Sequence, residues 1–66
     1  MKIESRIIIG RGAYRRYEIW QDGQRVYQDS VLRGGKKRAE AVARHESKVR
    51  EYVTPENEVV ERVVNY

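Results

Sequence analysis

The chain has 66 residues with no cysteine, one histidine and a formal net charge of +4. It can hold neither a disulfide nor a thiolate metal site, and a single histidine removes most catalytic and metal-binding constellations. No apolar run approaches the ~18 residues of a membrane span, and Met1-Lys2-Ile3-Glu4-Ser5 lacks the shape of a secretory signal; the expectation is a soluble, cytoplasmic protein of one small domain.

Residues Ile3 to Ile9 alternate at their start, with Ile3, Ser5, Ile7 and Ile9 on one face and Lys2, Glu4, Arg6 and Ile8 on the other. This is strand periodicity in a good strand former. Gly10-Arg11-Gly12 reads as a turn, and Tyr14 to Gln21 as a second strand. Asp22-Gly23 is a strong two-residue hairpin signal, which makes Gln24 to Asp29 the third strand. Ser30 to Gly35 is a loop. Lys36 to Val53 is predicted to be a helix with Ala39, Val42, Val49 and Val53 as its apolar positions and His45 and Tyr52 beside them. Glu40 precedes Arg44 and Glu46 precedes Arg50 by one helical turn, the favourable order for ion pairs. Thr54-Pro55 ends the helix, since a residue before proline avoids helical dihedrals.

The tail from Thr54 fits two patterns. Four valines in a short segment favour a strand, yet Val59, Val60, Val63 and Val64 also fall on one side at helical spacing. As a strand, either face would carry a charge in its middle, and Thr54 with Pro55 makes a good helix start, so a short helix is favoured. With one leucine and no phenylalanine the core is thin, and these valines are expected to bury against the domain or in a homodimer. The fold expected is α+β: a three-stranded antiparallel sheet packed on one long helix over residues 1–53, followed by an acidic, Val-rich element over 54–66.

A two-residue turn at Asp22-Gly23 pairs Trp20 with Arg25, Ile19 with Val26, Glu18 with Tyr27, Tyr17 with Gln28 and Arg16 with Asp29. Directly opposed residues share a face. Tyr17, Ile19 and Val26 then face the helix, while Tyr14, Arg16, Glu18, Trp20, Arg25 and Tyr27 face outward with Arg6. Burying Trp20 there would take Arg16, Glu18 and Arg25 with it, at a cost of several kcal/mol unless all were paired. An exposed face that interleaves Arg with flat aromatics suits nucleic acid, because guanidinium groups grip phosphates and base edges while rings stack. The charge distribution agrees: the first 53 residues carry about +6 and the rest about −2. Arg11 in its glycine turn, and Lys36 and Lys37 at the helix start, are candidate phosphate contacts.

Tyr17-Glu18-Ile19-Trp20, Asp22-Gly23-Gln24-Arg25 and Lys36-Lys37-Arg38-Ala39-Glu40-Ala41 together resemble the arm-type DNA-binding domains of phage integrases, and are similar to the plant ethylene-response-factor domain. The resemblance spans about Tyr14 to Glu46. It implies a sheet lying in the DNA major groove, with Arg16, Trp20 and Arg25 at the positions that touch bases and phosphates. The chain departs from that pattern in its Gly34-Gly35 loop, which lacks the family's aromatic and Thr or Ser cap, and in its acidic tail. DNA binding, rather than recombination, is what the resemblance implies.

No nucleophile stands at usable spacing from a base, and His45 beside Ala and Val on a helix flank reads as structural, so no enzyme, cofactor or metal site is expected. Two functions from different classes fit the same face: a duplex-DNA-binding protein, or a phage-encoded protein-interaction module or inhibitor of the anti-CRISPR kind, since Trp, Tyr and Arg also dominate protein hot spots. RNA binding through this face is a third.

Overall fold

A computed structural model describes residues 2–65; Met1 and Tyr66, at the outer ends of the two expected segments, lie outside the described residues. Four strands and one helix follow one another as β1 (Lys2–Ile9), β2 (Arg15–Gln21), β3 (Gln24–Val31), α1 (Lys36–Tyr52) and β4 (Glu58–Asn65). They form a single mixed sheet in the order β3-β2-β1-β4 with the helix on one face. The class is α+β as expected, but the sheet is neither three-stranded nor wholly antiparallel.

The correction lies in the tail. Instead of a helix it forms β4, parallel to β1, in unbroken register from Lys2 opposite Glu58 to Ile9 opposite Asn65. A strand was disfavoured because each face would carry a charge. The structure accommodates both charges. Arg62 reaches the Glu4 carboxylate on the neighbouring strand at 3.1 Å, while Glu61 stays exposed at the margin of the sheet. The turn that launches the strand is held by Asn57, whose backbone N–H donates to Thr54 O and whose Nδ2 donates to Tyr52 O at 2.7 Å.

The β2–β3 turn is as expected. Asp22 and Gly23 both take positive φ, 49° and 84°, the two-residue geometry whose twist matches the strands it joins. Gln21 faces Gln24 and Trp20 faces Arg25. One residue later the expected pairing fails. A β-bulge lets Val26 stand unopposed, so Ile19 pairs with Tyr27, Glu18 with Gln28, Tyr17 with Asp29 and Arg16 with Ser30. Every later residue of β3 therefore changes face. Val26, expected in the core, is 37% exposed, and Tyr27, expected outside, turns toward the helix.

The core lies between α1 and the sheet. Ile3, Tyr17, Ile19, Val31 and Ala41 are buried, and Ile7 and Val42 pack against the cluster of Tyr17, Val31 and Ala41. Ala41 and His45 are the buried positions of the helix, and Ala39, expected inward, is exposed. Full burial of Ile3 and Ile19 contributes roughly 1.5–3 kcal/mol each. His45 is held between sheet and helix: Ser5 Oγ lies 2.7 Å from its Nε2, and the rings of Tyr17 and Tyr27 have centroids 5.6 and 6.3 Å away. Beyond the bulge, β3 is clamped to the helix by Arg44 Nε, which donates to Asp29 Oδ2 at 2.7 Å.

Candidate functional site

The face of the sheet away from the helix is a grid whose rows follow from the strand register. The first row runs Val60, Glu4, Trp20, Arg25 from β4 to β3; the second runs Arg62, Arg6, Glu18, Gln28; the third runs Val64, Ile8, Arg16, Ser30. Four arginines and two glutamates share this grid, a local surplus of two positive charges.

Each glutamate is the hub for two arginines. Glu4 receives a 3.0 Å hydrogen bond from Arg6 Nη2, and its Oε1 lies 3.0 Å from Arg6 Nε and 3.1 Å from Arg62 Nε, at ion-pair distance but off the hydrogen-bond axis. Glu18 is 2% exposed. Its Oε2 meets Arg16 Nε at 3.0 Å and Arg25 Nη1 at 3.4 Å, and its Oε1 accepts the indole N–H of Trp20 at 2.9 Å. Arg6 bridges the two hubs by lying over the Trp20 ring, its guanidinium carbon 4.3 Å from the ring centroid, within the range of a cation–π contact. A buried carboxylate costs several kcal/mol unless its oxygens are matched. Glu18 meets that condition with two guanidinium groups and an indole N–H.

The electrostatics follow the geometry. The hydrogen bond from Arg6 holds the Glu4 carboxyl below its usual range, aided by the charges of Arg6, Arg62 and Lys2 and opposed by desolvation. On the helix side, burial pushes the His45 imidazole below its ordinary value despite the opposing charges of Glu46, Asp29 and Glu61. Burial and then Asp29 raise the Tyr27 phenol, whose hydroxyl donates to Asp29 Oδ2 at 3.3 Å.

Of the residues singled out from the sequence, Arg6, Arg16, Trp20 and Arg25 come together here. Trp20 is half-buried rather than open, because Arg6 covers part of it. Tyr14 stands just before β2 and packs on Gly10, where an added Cβ would lie 2.6 Å from the ring. Arg11 is exposed in the β1–β2 turn. Tyr27 belongs to the other face. Lys36 and Lys37 are exposed at the start of α1, in the layer behind the sheet, so they cannot extend this surface. Gln28, Ser30 and Arg62 join the face unforeseen. The first two arrive through the bulge and the third through β4. The glutamate hubs were legible in part: Glu4-x-Arg6 and Arg16-x-Glu18 are two apart, the spacing that puts side chains on one face of a strand.

Behind the sheet, α1 packs on β2 and β3 and leaves β4 uncovered. The gap is a cleft of about 320 Å³ whose lining includes Ile7, Val42, Val49 and Val63, together with Ser5 and His45. The Ser5–His45 separation is that of a nucleophile and its base, but among the described residues His45 Nδ1 meets no acid that would orient it. Among the described residues, no cluster of His, Cys, Asp or Glu could hold a metal ion, and no helix is long and apolar enough to cross a membrane. Comparison with known protein families, curated proteins and solved structures finds no match.

Proposed function

We propose that this is a small, non-enzymatic, intracellular protein that binds nucleic acid, duplex DNA in particular, through the outer face of its sheet. The observation that carries the reading is the grid itself. Four arginines are spread over all four strands around Trp20, with Gln28 and Ser30 exposed beside them. A guanidinium held by one carboxylate keeps further N–H groups for a phosphate or a guanine edge, and Gln can read adenine. A sheet or two-stranded ribbon is an established reader of the major groove.

One observation favours a second reading, a protein-interaction module or inhibitor. All four arginines are already ion-paired, so a phosphate would have to compete with carboxylates, whereas a paired Arg–Trp surface suits a protein hot spot as it stands. Binding to duplex DNA, single strands and RNA, measured across a salt series, tests between them. Nucleic-acid binding through this face loses affinity steeply as salt rises, because counterions are released. No binding to any nucleic acid at low salt, with salt-insensitive capture of a protein abolished by Trp20→Ala, would leave the second reading.

A further inference from the structure

We infer that the chain forms a two-fold dimer by antiparallel pairing of β4 with β4 of a second copy, with Val60 on the axis. The sheet has two edges, and they are not alike. At the β3 edge the bulge at Val26 breaks the register, and Asp29 is tied down by Arg44; a bulge and an inward-held charge are the usual means of blunting an edge. The β4 edge has no bulge, and its one helix-side charge, Glu61, stays exposed at the sheet margin rather than held by a partner strand. Glu58–Asn65 runs eight residues in unshifted register with β1, and among the described residues no strand lies on its other side. Half of its residues are valine, and on the helix side Val59 and Val63 are 39% and 57% exposed. A long, regular, β-branched edge of this kind is a template for another strand.

The charges select a second copy and set its register. A two-fold axis perpendicular to the sheet places residue i opposite its own equivalent, with one face continuous across the pair. With Val60 on the axis, Glu58 faces the second copy's Arg62, Arg62 faces its Glu58, and the outer-face sequence Glu58-x-Val60-x-Arg62 becomes its own complement. Moving the axis to Glu61 or Arg62 sets like charges against each other, and at Val63 no opposite charges align. Arg62 keeps its Glu4 contact in this arrangement, because that carboxylate lies on the β1 side. The dimer joins two four-stranded sheets into one of eight strands and puts both Arg/Trp faces on the same side. Only the use of that doubled face rests on the nucleic-acid reading; the dimer does not.

The test needs no nucleic acid, so its failure and the failure of that reading remain distinct. Light scattering across a concentration series should give twice the chain mass of 7.8 kDa. Glu58→Lys, which leaves the Glu4 network intact, should weaken dimerisation about tenfold or more with unchanged circular dichroism. Since the chain has no cysteine, single cysteines placed along β4 report the register directly. Under mild oxidation Val60→Cys should cross-link fastest, with Val63→Cys and Val64→Cys far slower, because only position 60 faces itself. A chain that stays at monomer mass, a cross-linking maximum away from position 60, or indifference to Glu58→Lys overturns the proposal.

Discussion

The indole N–H of Trp20 donates a 2.9 Å hydrogen bond to Glu18 Oε1, two residues back on the same strand. That bond explains how a charged face can be partly buried: the carboxylate it anchors also takes up Arg16 and Arg25. Glu18→Ala leaves the indole without its acceptor, two guanidinium groups without their counter-charge and a small void. It should cost about 2–4 kcal/mol. Glu18→Gln keeps the shape and one acceptor and should cost roughly half as much, since Arg16 and Arg25 are exposed enough to hydrate. Denaturant titration gives both values, and Trp20 emission should shift to the red in the alanine variant alone.

The bulge reverses an energetic expectation. The pairing expected from the turn puts Val26 in the core opposite Ile19, which would make both truncations costly. With Val26 unopposed and Ile19 fully buried, Val26→Ala should change stability by no more than about 0.5 kcal/mol and Ile19→Ala by about 2–5. Comparable losses for the two would place Val26 inside after all. Arg16→Ala moves the other way. Read as a solvated side chain it would be neutral, but as a partner of buried Glu18 it should cost about 1–2 kcal/mol.

Which parts of the fold were legible follows from how local their causes are. Asp22-Gly23 dictates its turn through backbone dihedrals alone, and Thr54-Pro55 stops the helix through a clash with its own neighbour, so both stand. The bulge has no local signature in Gln24 to Asp29. It brings Tyr27 to His45 and Asp29 to Arg44, contacts that exist only once the helix is in place. The tail failed for a related reason. Paired valines at 59–60 and 63–64 suit period 3.6 as well as period 2, and the partner that makes Arg62 tolerable in a strand is Glu4, almost the whole chain away. The outer face was legible along the whole of β2 and most of β1, where only Ile8, expected in solvent, is buried, and illegible wherever β4 or the bulge decides who sits beside whom.

β4 is expected to be indispensable. It flanks β1, whose Ile3 is fully buried, and it supplies one of the two arginines on Glu4. A chain ending at Val53 should lose the cooperative melting transition or show it at a markedly lower temperature. An unchanged melting curve would mean that β4 adds nothing to the rest of the sheet.

Acid should weaken the fold in two steps. Burial lowers the His45 imidazole in the folded chain, so the unfolded chain binds the extra proton first. The stability this protects is complete above the ordinary imidazole pKa of about 6.5 and is lost as pH falls below it, levelling off once the folded chain also titrates. Glu4, held low by Arg6, contributes above the ordinary carboxylate range and loses that contribution as pH falls through it. Ser5, Tyr17, Tyr27, Asp29, Glu46 and Glu61 surround or act on the imidazole, and the acids among them oppose the shift without reversing it. Denaturation midpoints measured against pH should show the upper step vanish in His45→Gln and the lower step shrink in Glu4→Gln. A rise in stability on acidifying below the imidazole range would contradict the assignment.

The arginines of the outer face should separate by how tightly their carboxylates hold them. Arg25 is 49% exposed and meets Glu18 only at 3.4 Å, beside Gln28 across a free surface. Arg16 is more deeply set, meets the same carboxylate at 3.0 Å and stands next to buried Ile8 in the sheet. If the face grips duplex DNA, Arg25→Ala should weaken binding with little change in melting temperature and lower the salt slope by about 1, the signature of one lost phosphate contact. Arg16→Ala should lower both binding and stability. Gln28→Ala should leave the salt slope alone and blunt discrimination between sequences, because an amide contributes to base edges rather than to charge. Lys36 and Lys37 lie in the helix layer, so their double change to Ala should leave binding by the sheet face intact. A salt slope that falls with the lysines and not with Arg25 would move the nucleic-acid contact from the sheet to the helix start.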